Sequence, residues 1–166
     1  MILFAYAGNM NVDEFAKLVQ SAKKIGVAKL TGYTFIFNTT APDDSSKANV
    51  VRSLEPDAAV WGVLIQIDDN ERDNFFNPDP VINDLKLEPV TCVAHDCSVY
   101  HAEVFTAKPH AVNTHLLPYD WYHQRIIKLA TDAELPKAYI NQIIAMAFKK
   151  DPDEERRAKR MKKFGL

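Results

Sequence analysis

The chain has 166 residues, 47% apolar and 25% charged, enough for one globular domain to bury a core without metal or disulfide staples. Its formal charge of −2 conceals two unlike regions: residues 149–166 carry eight Lys/Arg against four Asp/Glu, which leaves 12 basic and 18 acidic residues, a net −6, in the body. A body of that sign repels phosphate backbones and argues against nucleic acid as a partner.

Residues 2–7 are apolar and read as a buried strand, with Gly8 permitting a sharp change of direction at its end. No basic segment precedes them and Asn9 interrupts them, so neither a signal peptide nor a membrane span is expected, and a cytoplasmic protein is. Asn11 stands three residues before Glu14, as in a capping box, and Phe15, Leu18 and Val19 set one apolar stripe on the following helix. Residues 25–30 and 33–37 are β-rich and parted by Thr31 and Gly32, which predicts a tight antiparallel pair. Residues 39–47 are polar, include Pro42, and predict an exposed loop.

Residues 60–67 give the clearest strand signal, and the cluster Asp68, Asp69, Asn70 starts a short helical piece over 71–76. Pro78 and Pro80 enclose Asp79 in a stiff loop. Residues 86–93 and 98–106 predict a hairpin, and 121–130 and 135–148 predict helices. Strands dominate the middle and helices the C-terminal part, so the expected class is α+β with a largely antiparallel sheet.

Cys92, His95 and Cys97 supply only three ligands in an unfamiliar spacing, so they read as ordinary strand and turn residues and no metal is expected. In the basic tail, Ala158, Met161 and Phe164 recur every three residues, as on an amphipathic helix. That pattern fits a solvated terminus, weak binding to an anionic surface, or a segment packing through Met161 and Phe164 on this body or on a second copy in a homodimer.

Five blocks, in order, resemble the γ-glutamylcyclotransferase-like (AIG2-like) family: Phe4-Ala5-Tyr6-Ala7-Gly8-Asn9-Met10, residues 25–33, residues 48–51, Val60-Trp61-Gly62-Val63, and Leu135-Pro136-Lys137-Ala138-Tyr139-Ile140. The resemblance implies a mixed, largely antiparallel barrel over 1–148 with flanking helices, followed by the tail at 149–166. It also implies intramolecular cyclisation of a small γ-glutamyl amine or peptide to 5-oxoproline, without cofactor or membrane. The alternative is a non-catalytic module of the same fold that binds a small acidic metabolite. In the family signature Tyr-Gly-Ser-Asn, Ala7 takes the glycine position and Gly8 the serine position. By the same register Tyr6, Ala7, Gly8, Asn9 and Met10 form the substrate loop, Tyr122 lines the pocket and Phe105 stands where a second tyrosine is common. Asp79 falls at the family's catalytic glutamate, as general base and acid, one methylene short. Glu71 and Glu88 are rival carboxylates.

Overall fold

The computed structural model describes residues 1–76 and 84–166. Among them, strands β1 (Ile2–Ala5), β5 (Ala59–Gln66), β2 (Lys23–Thr31), β6 (Leu85–Ala94) and β7 (Val99–Ala107) close into a barrel in that order. β3 (Tyr33–Thr40) and β4 (Ser46–Arg52) form a separate two-stranded sheet. β1 runs antiparallel to β5 but parallel to β7, with Leu3 opposite Glu103 and Phe4 opposite Val104. That single parallel seam closes the barrel and makes it mixed.

β5 pairs with β1 on one edge and β2 on the other. Val60, Val63, Leu64 and Ile65 are all fully buried, a continuous apolar run rather than an alternating one, because both faces of this strand are covered. The β6–β7 hairpin appears as expected, with register from Leu85 opposite Ala107 to Val93 opposite Val99. Its turn places Cys97 at φ 67° and leaves Cys97 exposed while Cys92 is buried. Burial pushes the Cys92 thiol up to about 12.

The expected pairing of residues 25–30 with 33–37 is not what forms. Both segments are strands, but β2 pairs with β5 and β6 while β3 pairs with β4. Only Gly32 separates them, too short a link for a two-residue hairpin turn. Gly32, at φ 79°, instead donates to the Ala58 carbonyl at 2.8 Å and accepts from the Ser53 N–H at 2.9 Å. The chain therefore leaves the barrel at Gly32 to enter the second sheet.

Residues 39–47 are not an exposed loop either. β3 and β4 consume both ends, leaving a tight connection in which the Ala41 N–H reaches the Ser45 carbonyl at 3.0 Å. Thr39, Ala41, Ser45 and Ser46 are buried. The backbone polar groups of this turn are met from elsewhere: the Tyr119 hydroxyl donates to the Asp43 carbonyl at 2.7 Å and Lys149 Nζ to the Asp44 carbonyl at 2.8 Å. Polarity here reflects internal hydrogen bonding, which sequence composition does not distinguish from solvation.

Helix α1 (Val12–Phe15) begins as predicted, the Asn11 side chain accepting from the Glu14 N–H at 3.0 Å. α2 (Asp120–Asp132) buries Trp121, Tyr122, Ile126 and Leu129 against the sheets. α3 (Lys137–Ile144) is shorter than the 135–148 expected, and Phe148 instead stacks on the His123 ring at 4.8 Å. The basic tail forms α4 (Glu154–Phe164), capped by Asp153, which accepts from the Arg156 N–H, and ended by Gly165 at φ 64°. It docks on its own body: Met161 and Phe164 pack against the core and Phe164 stacks on Trp121 at 6.2 Å.

Candidate functional site

A cavity of about 620 Å³ opens at the end of β1, between the barrel, the turn after β3, α2 and α4. Its floor begins with Tyr6. The hydroxyl donates to the Phe105 carbonyl at 2.7 Å, tying the end of β1 to β7, and the ring meets Phe35 edge-on at 6.2 Å. Burial, helped by Tyr122 and Tyr139, drives the Tyr6 hydroxyl far above its ordinary pKa, so it acts as a neutral donor.

After Tyr6 the chain makes one 3₁₀ turn over Gly8–Met10, in which the Met10 N–H donates to the Ala7 carbonyl at 2.9 Å. Among the described residues no acceptor is found for the N–H groups of Gly8 and Asn9, at the start of that turn. Ala7, Gly8 and Asn9 line the cavity, as do Tyr6, Phe105 and Tyr122. Met10 does not: its amide is engaged within the turn and its side chain lies in the core. A β-carbon at Gly8 would sit 3.8 Å from both terminal nitrogens of Arg125, so the backbone there faces a guanidinium. Arg125 in turn pairs with Glu14 at 3.1 Å and lies 4.1 Å over the Phe164 ring.

Tyr122 is held by α2. Its oxygen accepts from the Ala48 N–H at 3.3 Å, and Phe37 and Trp121 meet its ring edge-on. Burial raises the Tyr122 hydroxyl too, so both phenols of the floor are neutral. Asp79 lies outside the described residues. Of its rivals, Glu71 accepts from the Ser21 N–H at 2.7 Å and Glu88 pairs with Lys86 at 2.6 Å; neither lines the cavity.

Sequence reasoning missed the charged wall. Lys47, Arg125, Arg156 and Arg160 all line the cavity, and among the described residues Asp43 is its only carboxylate. Lys47 Nζ donates to Ser45 Oγ at 2.9 Å and Asp43 Oδ2 at 3.3 Å, and sits 4.8 Å from the Trp121 and Tyr122 ring centroids. Burial lowers its pKa and Asp43 opposes that, while Arg160 and Arg156 lower it further. The Asp43 carboxyl, though burial would raise it, is held below the usual range by Ser45 and Lys47, which makes it a weak proton acceptor. One signal was available in advance: Arg156, Arg160 and Phe164 recur every four residues and so share one helix face.

The anchor of that wall is Asp151, fully buried. It takes Arg156 in a bidentate pair at 2.8 and 2.6 Å and accepts from Trp121 Nε1 at 2.8 Å. Burial would raise its pKa; the hydrogen bonds from Arg156, Trp121 and the Asp153 N–H prevail and bring it from 3.8 to about 2. A carboxyl with a depressed folded pKa adds stability above its unfolded pKa and loses it as pH falls through the folded one, here between about pH 4 and 2. Asp151→Asn is expected to cost about 2 kcal/mol at neutral pH, because the amide cannot supply the charge that Arg156 pairs with. Urea unfolding of both proteins across that range should show the difference closing toward pH 2; a constant difference would mean that the ionised carboxylate is not what holds the helix.

No protein-family model matches the chain, and no curated protein does. Solved structures do. A γ-glutamyl cyclotransferase is 18% identical with a TM-score of 0.81, covering 98% of each chain. An uncharacterized human protein is 18% identical with a TM-score of 0.77, covering 95% of this chain and 97% of that one. YkqA from Bacillus subtilis is 19% identical with a TM-score of 0.74, covering 90% of this chain and 55% of that one. Among the described residues no helix is long and apolar enough to cross a membrane. The five-stranded mixed barrel, the second sheet and the helices around them give this chain the γ-glutamylcyclotransferase-like fold.

Proposed function

We propose that the chain cyclises a small γ-glutamyl amine or peptide to 5-oxoproline in a cytoplasmic setting. The observation that carries this reading is the cavity at the end of β1, in which the turn Ala7–Asn9, two neutral phenols and a cationic wall surround one space. In the reaction the substrate's own α-amine attacks its γ-carbonyl carbon, a C–N bond closes the five-membered ring, and the original amide C–N bond breaks. The amine must lose a proton and the leaving nitrogen must gain one. No oxidant, reductant or cofactor enters that balance.

Arg125, against Gly8, suits the substrate's α-carboxylate, and the N–H groups of Gly8 and Asn9 suit the oxyanion that develops on the γ-carbonyl. Tyr6, Phe105 and Tyr122 wall off water and fix the glutamyl chain, so that ring closure starts from a near-attack geometry. Asp79 is assigned the proton transfer on the resemblance alone. Asp43 suits that role poorly, being bound to Ser45 and Lys47. This favours, as the second reading, a module that binds an acidic metabolite without turning it over.

Incubation with γ-glutamyl amines and dipeptides should release 5-oxoproline, detected by mass spectrometry. Binding without release across the whole panel would replace the enzyme by the binding module.

A further inference from the structure

The cavity holds more positive charge than a single α-carboxylate uses, and its cations are not equivalent. Arg125 is paired with Glu14, Arg156 with Asp151 and Lys47 with Asp43. Arg160 has no carboxylate partner among the described residues; its guanidinium lies 5.4 Å over the Trp121 ring. Lys47 reaches the same ring at 4.8 Å. Two cations from distant parts of the sequence thus converge on one indole, one from β4 and the other from α4.

Like charges brought together at a cavity wall repel: burial is the main cause of the lowered Lys47 pKa, Asp43 opposes it, and Arg160 and Arg156 lower it further. Aromatic faces offset part of the cost, and an incoming anion removes the rest while gaining charge-assisted hydrogen bonds. Arg125 lies against the Gly8 backbone and over the Phe164 ring, whereas Arg160 and Lys47 lie over Trp121, so the cavity presents two cationic positions. One belongs to the signature turn and one to the face of Trp121.

We propose that Arg160 and Lys47 form a second anion subsite, which selects ligands carrying an anionic group, a carboxylate or a phosphonate-like oxyanion, on the portion beyond the γ-glutamyl unit. That this portion is the leaving amine rests on the cyclisation reading; that it is bound does not. Arg160 is a specificity determinant here and takes no part in proton transfer.

The test uses three matched probes: γ-glutamylethylamide, γ-glutamylglycine and γ-glutamylaminomethylphosphonate. Calorimetry gives Kd, and 5-oxoproline release gives kcat/KM. The two anionic probes should bind at least roughly fivefold more tightly than the ethylamide, a modest factor because Arg160 is exposed to solvent. Arg160→Gln should bring the ratio toward one, Arg160→Glu should invert it, and Arg160→Lys should keep part of it. Arg160 makes none of the ion pairs that dock α4, so these variants should fold. The two anionic probes separate the sources: preference for the phosphonate over the carboxylate, lost with Arg160, assigns the site to phosphate-type ligands. Turnover without discrimination in Kd or kcat/KM would sink the subsite and spare the cyclisation. Discrimination in Kd that depends on Arg160, with no release from any probe, would sink the cyclisation and spare the subsite. A preference that survives both Arg160→Gln and Arg160→Glu would overturn the role given to Arg160.

Discussion

Replacing Asp79 with asparagine is expected to cut 5-oxoproline formation by at least about 100-fold, the lower end of what a positioned acid–base group contributes. The amide keeps the size of the side chain and removes its ability to take a proton from the substrate amine and return it to the leaving nitrogen. Asp79→Glu is expected to raise turnover above that of the native chain, because it restores the methylene by which aspartate falls short of the family's glutamate, and about 1 Å of misplacement can cost roughly 100-fold. Rates should be read alongside melting curves, which both variants should leave close to the native one. If Asp79→Asn turns over normally, Asp79 is not the proton carrier. Glu71 and Glu88 would not inherit the role, since their carboxylates are engaged away from the cavity. Asp43 would be the next residue to replace, as the cavity's carboxylate among the described residues.

The parts of this fold that were legible in the sequence are those where local pattern and final burial agree. Residues 60–67 form an apolar run because β5 is covered on both faces, and Asn11 caps α1 through the spacing that announces it. Strand pairing was less accessible. Ile25 to Leu30 and Tyr33 to Phe37 carry strand composition, but composition does not say which neighbour a strand takes, and Gly32 sends the second into another sheet. The turn at 41–45 shows the same gap from the polar side: Asp43 and Ser45 look like solvated loop residues until Tyr119 and Lys149 are seen to hold their backbone.

The candidate site divides along the same line. The signature turn could be found because its residues are contiguous. The cationic wall could not, because Lys47, Arg125 and Arg160 meet only after a sheet, a helix and the tail have packed. A net charge of +4 over residues 149–166 invited a reading in terms of external partners. In the structure, two of its arginines are spent on the buried or nearly buried carboxylates Asp151 and Asp120. Arg160 then faces the cavity. The tail thus belongs to the pocket wall, a role that average charge does not reveal.

Gly62 links the barrel to the site most directly, and Gly62→Ala is the substitution expected to cost the fold most. The residue lies on β5 opposite Ala28 of β2, and a β-carbon there would run into the Ala5 carbonyl oxygen, with the Phe4 ring tip 2.9 Å away and the Ala5 carbonyl carbon 3.1 Å away. Phe4 could turn aside only at a price in packing, and the Ala5 backbone could not move without parting β1 from β5. Overpacking of this kind commonly costs 1–3 kcal/mol, and a clash with backbone places Gly62→Ala at about 3 kcal/mol or more. Gly26 supplies the control. It too lies in a barrel strand, at the irregularity of β2, but nothing stands within 4 Å of its missing β-carbon, so Gly26→Ala should stay within about 1 kcal/mol of the native stability. Urea unfolding measures both. Ala5 immediately precedes Tyr6, so displacing its carbonyl also shifts the turn whose Gly8 faces Arg125. Gly62→Ala should therefore weaken binding of γ-glutamyl probes even at temperatures where the variant remains folded, and Gly26→Ala should not. Equal stability of the two variants would show that β1 and β5 are not packed as closely as this geometry requires.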